Sequence, residues 1–240
     1  MKRVRVYLLL LVIVISVSAT AVSLYKKHNA EVLEDLKKEM TWVDPSDGEE
    51  EPAVDFSYLK ELNPDIVAWI DIPNTEISYP ILQSKEDKKE DYYLNHNVDG
   101  TVGYPASIYM QKTNSEELTD PVTVLYGHNM KNGSMFAGLH EYKDAIYFEE
   151  HPDVYVYTPT GRKHYRIFAV VNYDDRLILD AYDGFQTGDS LEAFYIESVN
   201  QATHVNYGAT VNEDSKLLVL STCEKGQSEK RLLIEAVLVD

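Results

Sequence analysis

Residues 217–231 read LLVLSTCEKGQSEKR. Leu217, Leu218, Val219 and Leu220 form an uninterrupted apolar run, the pattern of a buried strand. Ser221, Thr222 and Cys223 stand where that strand runs out, and a polar stretch with one glycine, Gly226, turns the chain. A second apolar run begins directly after Arg231 and continues to Val239. Two such runs joined by a short polar loop predict an antiparallel hairpin, with Cys223 closing one strand and Arg231 opening the next. Neighbouring strands lie about 5 Å apart, so a guanidinium and a thiol are placed within reach of one another. Cys223 is the only cysteine of the 240 residues, so no disulfide can form within the chain. A lone cysteine after an apolar strand also reads as a small buried hydrophobe, and the hairpin alone does not separate the two.

The other end of the chain bears on that choice. Lys2, Arg3 and Arg5 precede an uncharged run that lasts through Leu24. About twenty apolar residues cross a bilayer as a helix, and basic residues at the start keep that end in the cytoplasm. The expectation is a single-pass membrane anchor over residues 1–28, with the remainder extracytoplasmic. A cleaved leader is the alternative, since Ala19, Thr20 and Ala21 fit a small-residue cleavage site. An unpaired cysteine in an exported chain points to a reactive thiol. Residues 29–240 carry 17 basic and 40 acidic residues, a balance that excludes nucleic acid as a partner because phosphate contacts need basic patches.

Residues 29–41 place Val32, Leu33, Leu36 and Met40 at helical spacing. Residues 43–54 combine two prolines, a glycine and acidic side chains and read as a linker; together 29–54 make a helix and an acidic linker ahead of a domain over 55–240. In that domain, strands are expected at 66–72, 77–82, 106–111, 122–126, 154–158, 165–171, 217–222 and 231–239. Helices are expected near 135–142 and 190–202. The fold class is mainly β, a barrel or sandwich with helical insertions. Eighteen tyrosines suit half-buried pleated surface.

A cysteine nucleophile works with a base, and histidine is the usual one. Of the seven histidines, His128 ends the strand at 122–126 through a glycine in YGHNM, at a strand rim like the one expected for Cys223. His96 and His140 are the other two that context does not dismiss. No short-range pair of ligands is spaced for zinc, so a zinc site built from His128, His140 and Cys223 is the weaker arrangement, and neither metal nor cofactor is expected.

These residues resemble the sortases of Gram-positive bacteria, and the class B branch in particular. Leu220-Ser221-Thr222-Cys223 is similar to the family's nucleophile motif and Arg231 to its arginine. Tyr126-Gly127-His128-Asn129-Met130, with Gly133-Ser134-Met135-Phe136, is similar to its histidine motif. Asn63-Pro64-Asp65-Ile66-Val67-Ala68-Trp69-Ile70, Tyr79-Pro80-Ile81 and Tyr93-Leu94-Asn95 resemble the class B opening segments. Ala106–Gln111 departs from the glycine-led strand ending in aspartate that relatives often carry. The resemblance implies an eight-stranded sortase β-barrel with short helices and an N-terminal helical extension. It implies a membrane-anchored cysteine transpeptidase that cleaves a C-terminal sorting signal after threonine and passes the acyl group to an amine of a peptidoglycan precursor or a pilin lysine. Surface proteins bearing that signal would be its substrates. Cys223 would be the nucleophile, His128 the acid and base, and Arg231 with the backbone N–H of Glu224 the oxyanion donors; Asn95, Ser221 and Thr222 are candidates for the substrate groove. A thiol endopeptidase that hydrolyses the same signal, and a non-enzymatic surface-binding β module, are the competing functions.

Overall fold

The structure, a computed structural model, describes residues 2–38, 40–43 and 51–239. The chain divides into two units, Met1–Glu39 and Met40–Asp240.

The first unit is one helix, α1 (Lys2–Lys38), which takes in most of the helix expected at 29–41. The membrane anchor expected at its start is corrected: no helix among the described residues is long and apolar enough to cross a membrane. The Ser18 and Thr20 hydroxyls turn back onto the Val14 and Ser16 carbonyls at 2.8 and 2.9 Å, the intrahelical bonding that hydroxyls adopt inside a helix. The single-pass placement of the chain falls with the anchor.

In the second unit, β1 (Met40–Val43) and β2 (Glu51–Val54) pair antiparallel; the expected linker lies mostly on 44–50, outside the described residues. Helix α2 (Phe56–Leu62) starts at Asp55, whose carboxylate accepts from the Ser57 and Tyr58 N–H groups, the usual way of satisfying orphan donors at a helix start. The barrel strands follow: β3 (Ile66–Asp71), β4 (Ser78–Gln83), β5 (Ile108–Met110) and β6 (Val122–Tyr126). A 3₁₀ helix over Phe136–Lys143 stands in for the helix expected at 135–142, and α3 (Ala145–Glu150) comes next. Then come β7 (Asp153–Thr158), β8 (Gly161–Asp174), α4 (Ile178–Ala181), α5 (Gly188–Gln201), β9 (Ala202–Val205), β10 (Leu217–Glu224) and β11 (Gln227–Leu238).

Strand order is β11-β10-β6-β5-β4-β3-β7-β8-β9, and β11 also pairs with β8. That last ladder, Lys230↔Asp174 through Leu238↔Tyr165, closes eight strands into the expected barrel and leaves β9 as an addition beside β8. Leu217–Thr222 are all buried, which accounts for an unbroken apolar run rather than an alternating one. Val219, Leu233, Val122 and Val124 pack with Ile178, Leu191 and Phe194 in one cluster, so α4 and α5 cover this face of β6, β10 and β11. Trp69 is fully buried and its indole N–H donates to the Ser78 hydroxyl at 3.0 Å.

One group runs against this apolar setting. Glu235 of β11 is completely buried between Val219 and Ala169. The Ser198 hydroxyl donates to its Oε1 at 2.8 Å, and Oε2 has no hydrogen-bond partner. Burial pushes its carboxyl up to about 8. The folded chain then holds a proton that the unfolded chain releases near the ordinary carboxyl range, so stability falls as pH rises through that window. Glu235→Gln keeps an acceptor for Ser198 and cannot ionise. We expect its Tm to exceed that of the unsubstituted chain by about 5 °C or more at pH 8 and to match it near pH 5. Equal Tm differences at the two pH values would show that Glu235 is not the proton holder.

Candidate active site

Three adjacent strands end at one rim. Strands β6 and β10 run parallel, with Tyr126 opposite Ser221. Beyond that pair the two chains stay tied: the Gly127 N–H donates to the Ser221 carbonyl at 3.1 Å, and the Thr222 hydroxyl donates to the Gly127 carbonyl at 2.8 Å. His128 follows Tyr126 by two residues, as Cys223 follows Ser221, so this register sets the two side by side. On the other flank, Cys223 pairs with Arg231 across the antiparallel ladder. Side chains two residues apart on a strand share a face. Cys223 and Arg231 therefore form a cross-strand pair beside the row of Tyr109, Tyr126, Ser221 and Leu233, and His128 follows two residues beyond that row.

The histidine is held from several sides. Its Nε2 lies 2.7 Å from the Leu94 carbonyl; a carbonyl only accepts, so Nε2 carries a proton and donates it. The Tyr104 ring stands 5.2 Å from the imidazole, and the His128 carbonyl accepts the Phe136 N–H at 3.0 Å. Gly127 is required just before it: a Cβ there would come within 2.5 Å of Ile108 Cδ1 and 2.6 Å of Phe136 Cδ2. The glycine of YGHNM is thus a matter of close packing, which fixes the histidine's backbone against the barrel.

Cys223 is exposed and unpaired. The hairpin that carries it is tighter than expected. The turn falls at Lys225-Gly226, and the register jumps from Cys223↔Arg231 to Glu224↔Gln227, which bulges Ser228, Glu229 and Lys230 out of the ladder. Arg231 returns to that bulge: its Nη1 donates to the Ser228 and Lys230 carbonyls at 2.6 and 3.0 Å. Its backbone stands opposite Cys223 in the ladder. Nearby, the Tyr109 and Tyr126 rings stack at 5.4 Å. Burial raises both phenols above their ordinary range, with the Asp91 and Glu90 charges adding to the rise at Tyr109.

The remaining expected residues divide. Ser221 and Thr222 are buried, and the Thr222 hydroxyl is bonded to Gly127. Asn95 is exposed at the end of the 3₁₀ turn Tyr92–Leu94, the turn whose Leu94 carbonyl meets His128. Among the described residues no group of three or more His, Cys, Asp or Glu side chains is placed to hold a metal ion. Two further residues stand at the rim: Asn129, whose Nδ2 donates to the Cys223 carbonyl at 3.1 Å, and His140, whose Nε2 lies 3.2 Å from the same oxygen. The sequence keeps His140 as a further candidate histidine and a ligand of the weaker zinc arrangement, whereas Asn129 enters only as part of YGHNM.

The sortase domain family matches this chain over residues 70–239. The chain belongs to the sortase family. It is 34% identical to sortase B of Listeria monocytogenes over 222 residues, covering 91% of this chain and 88% of that protein. It is 27% identical to sortase B of Staphylococcus aureus over 188 residues, 77% of this chain and 74% of the relative. Among solved structures, sortase B of Clostridium perfringens superposes with a TM-score of 0.70 at 27% identity, covering 78% of this chain and all of that one. The resemblance to class B sortases therefore stands. So does the general activity that goes with it, that of a cysteine transpeptidase of the cell-wall sorting type.

Proposed function

We propose that the chain cleaves a C-terminal sorting signal after threonine through a thioester on Cys223 and transfers the acyl group to an amine of a peptidoglycan precursor or a pilin lysine. What supports this reading is the register that pairs Cys223 with Arg231 and sets Tyr126, two residues before His128, opposite Ser221, two residues before Cys223. The Cys223 thiolate adds to the threonine carbonyl carbon, and its electron pair moves onto oxygen. Arg231 and the Glu224 N–H are the donors assigned to that oxyanion. As the tetrahedral species collapses, the C–N bond breaks and the leaving amine takes a proton from the His128 imidazolium. The thioester remains. An incoming amine then adds to it and gives a proton to His128, and the thiolate departs as the new amide forms. With Nε2 donating to Leu94, Nδ1 is the nitrogen left to exchange these protons.

The test is mass spectrometry of the full chain incubated with a library of sorting peptides, with and without added amines. Amine-bearing product formed at the expense of hydrolysis is the expected result. Cleavage whose products ignore added amine would make the chain a thiol endopeptidase, and intact peptides throughout would leave a non-enzymatic binding module.

A further inference from the structure

Asn129, His140 and the Cys223 carbonyl meet in a triangle. Asn129 Nδ2 lies 3.1 Å from the Cys223 oxygen and 2.8 Å from His140 Nε2, and His140 Nε2 lies 3.2 Å from the same oxygen. The Cys223 carbonyl only accepts, so the Asn129 NH₂ donates one hydrogen to it, whereas a flipped amide would set oxygen against oxygen. The His140 Nε2 reaches both groups: protonated it is a second donor to the Cys223 oxygen, unprotonated it accepts from Asn129. Burial, with the Lys143 charge in the same direction, holds the imidazole below the ordinary histidine range, while the Glu224 carboxylate and the Cys223 carbonyl oppose it.

The element behind this triangle is the 3₁₀ helix over Phe136–Lys143. In a 3₁₀ helix, residues i and i+3 eclipse, so His140 and Lys143 project from one side. Lys143 forms an ion pair with Glu224 Oε1, and His140 Nδ1 stands 4.0 Å from Glu224 Oε2. The Cys223–Glu224 unit is thus held at its carbonyl oxygen by Asn129 and at its carboxylate by Lys143.

A trans peptide is planar, and its C=O and N–H point in opposite directions. Fixing the Cys223 oxygen therefore fixes the direction of the Glu224 N–H. We infer that Asn129, seated on His140, is a positioning residue that locks the Cys223–Glu224 peptide plane and so aims the Glu224 N–H at the oxyanion. The inference rests on the thioester mechanism proposed above and adds to it the groups that set the backbone donor.

Two reagents separate aim from reactivity. Iodoacetamide alkylates a thiolate by displacement with no oxyanion, whereas p-nitrophenyl acetate acylates it through a tetrahedral oxyanion and releases p-nitrophenolate. In Asn129→Ala and the isosteric Asn129→Asp, we expect alkylation of Cys223 to stay within about twofold, while acylation slows by about tenfold to a hundredfold, part of the loss seen when an oxyanion donor is removed. His140→Ala leaves the Asn129 bond to Cys223 in place and should lose less. Equal slowing of both reactions in chains of unchanged Tm would place Asn129 on the thiol and overturn the inference, as would unchanged acylation. The acyl probe needs no sorting signal: a chain that acylates normally yet cleaves no peptide fails the transpeptidase reading, not this one.

Discussion

Cys223→Ala is expected to remove peptide cleavage, with kcat/KM falling at least about 10⁴-fold and the fold intact. A nucleophile that forms the covalent intermediate has no substitute in the site, and deleting such a group in a serine protease costs on the order of 10⁶ in turnover. The side chain is exposed at the rim rather than packed in the core, so its loss opens no cavity and Tm should stay close to that of the parent. Because it is the only thiol, one equivalent of a thiol reagent should add one mass label and stop turnover in proportion. Cleavage that survives complete labelling would end the cysteine-enzyme reading.

The second large effect is expected at Arg231. Its Nη1 is bonded to the Ser228 and Lys230 carbonyls of its own bulge, which anchors the guanidinium plane and leaves its other N–H groups in fixed directions. Lysine keeps the charge but has one nitrogen for both tasks and no planar fork. Removal of one oxyanion donor costs about 100–1,000-fold in turnover. Arg231→Lys and Arg231→Ala should therefore both lose at least that much kcat, with KM changing less, since the oxyanion exists only past the ground state. If Arg231 acted only by lowering the thiol pKa, lysine would retain most of the activity and the alkylation rate would shift along the pH axis. Measuring kcat and thiol alkylation against pH in both variants separates these roles, and near-normal turnover in the lysine variant would exclude the directed-donor role.

The barrel was legible because its strands announce themselves. The apolar runs around Trp69, Leu125, Val156, Val170, Val219 and Ile234 each became a barrel strand, and the hairpin spacing already set Cys223 against Arg231. Strand β9 was hidden because Ala202–Val205 directly continues helix α5 with no breaker between them. The N-terminal anchor expected from the uncharged run is what the structure corrects, since no helix among the described residues is long and apolar enough to cross a membrane. The contact between Asn129 and His140 escaped for a different reason. Their meeting depends on the path from His128 to the 3₁₀ helix, which passes through Met135 at a positive φ of 59°, and no periodicity in the sequence encodes such a turn.

Closure of the barrel also limits how a substrate can be read. At the rim, β6 has β5 on one side and β10 on the other, β10 lies between β6 and β11, and β11 lies between β10 and β8. Up to the Cys223 carbonyl and the Glu224 N–H at the very rim, the main-chain groups of these strands pair with one another. A peptide arriving at Cys223 finds no open edge on them to extend as an added strand, the mode in which backbone pairing supplies affinity for almost any sequence. On these strands, affinity for a peptide has to come from side chains and rim loops rather than from main-chain pairing, and such loops can change without disturbing the ladder beneath them.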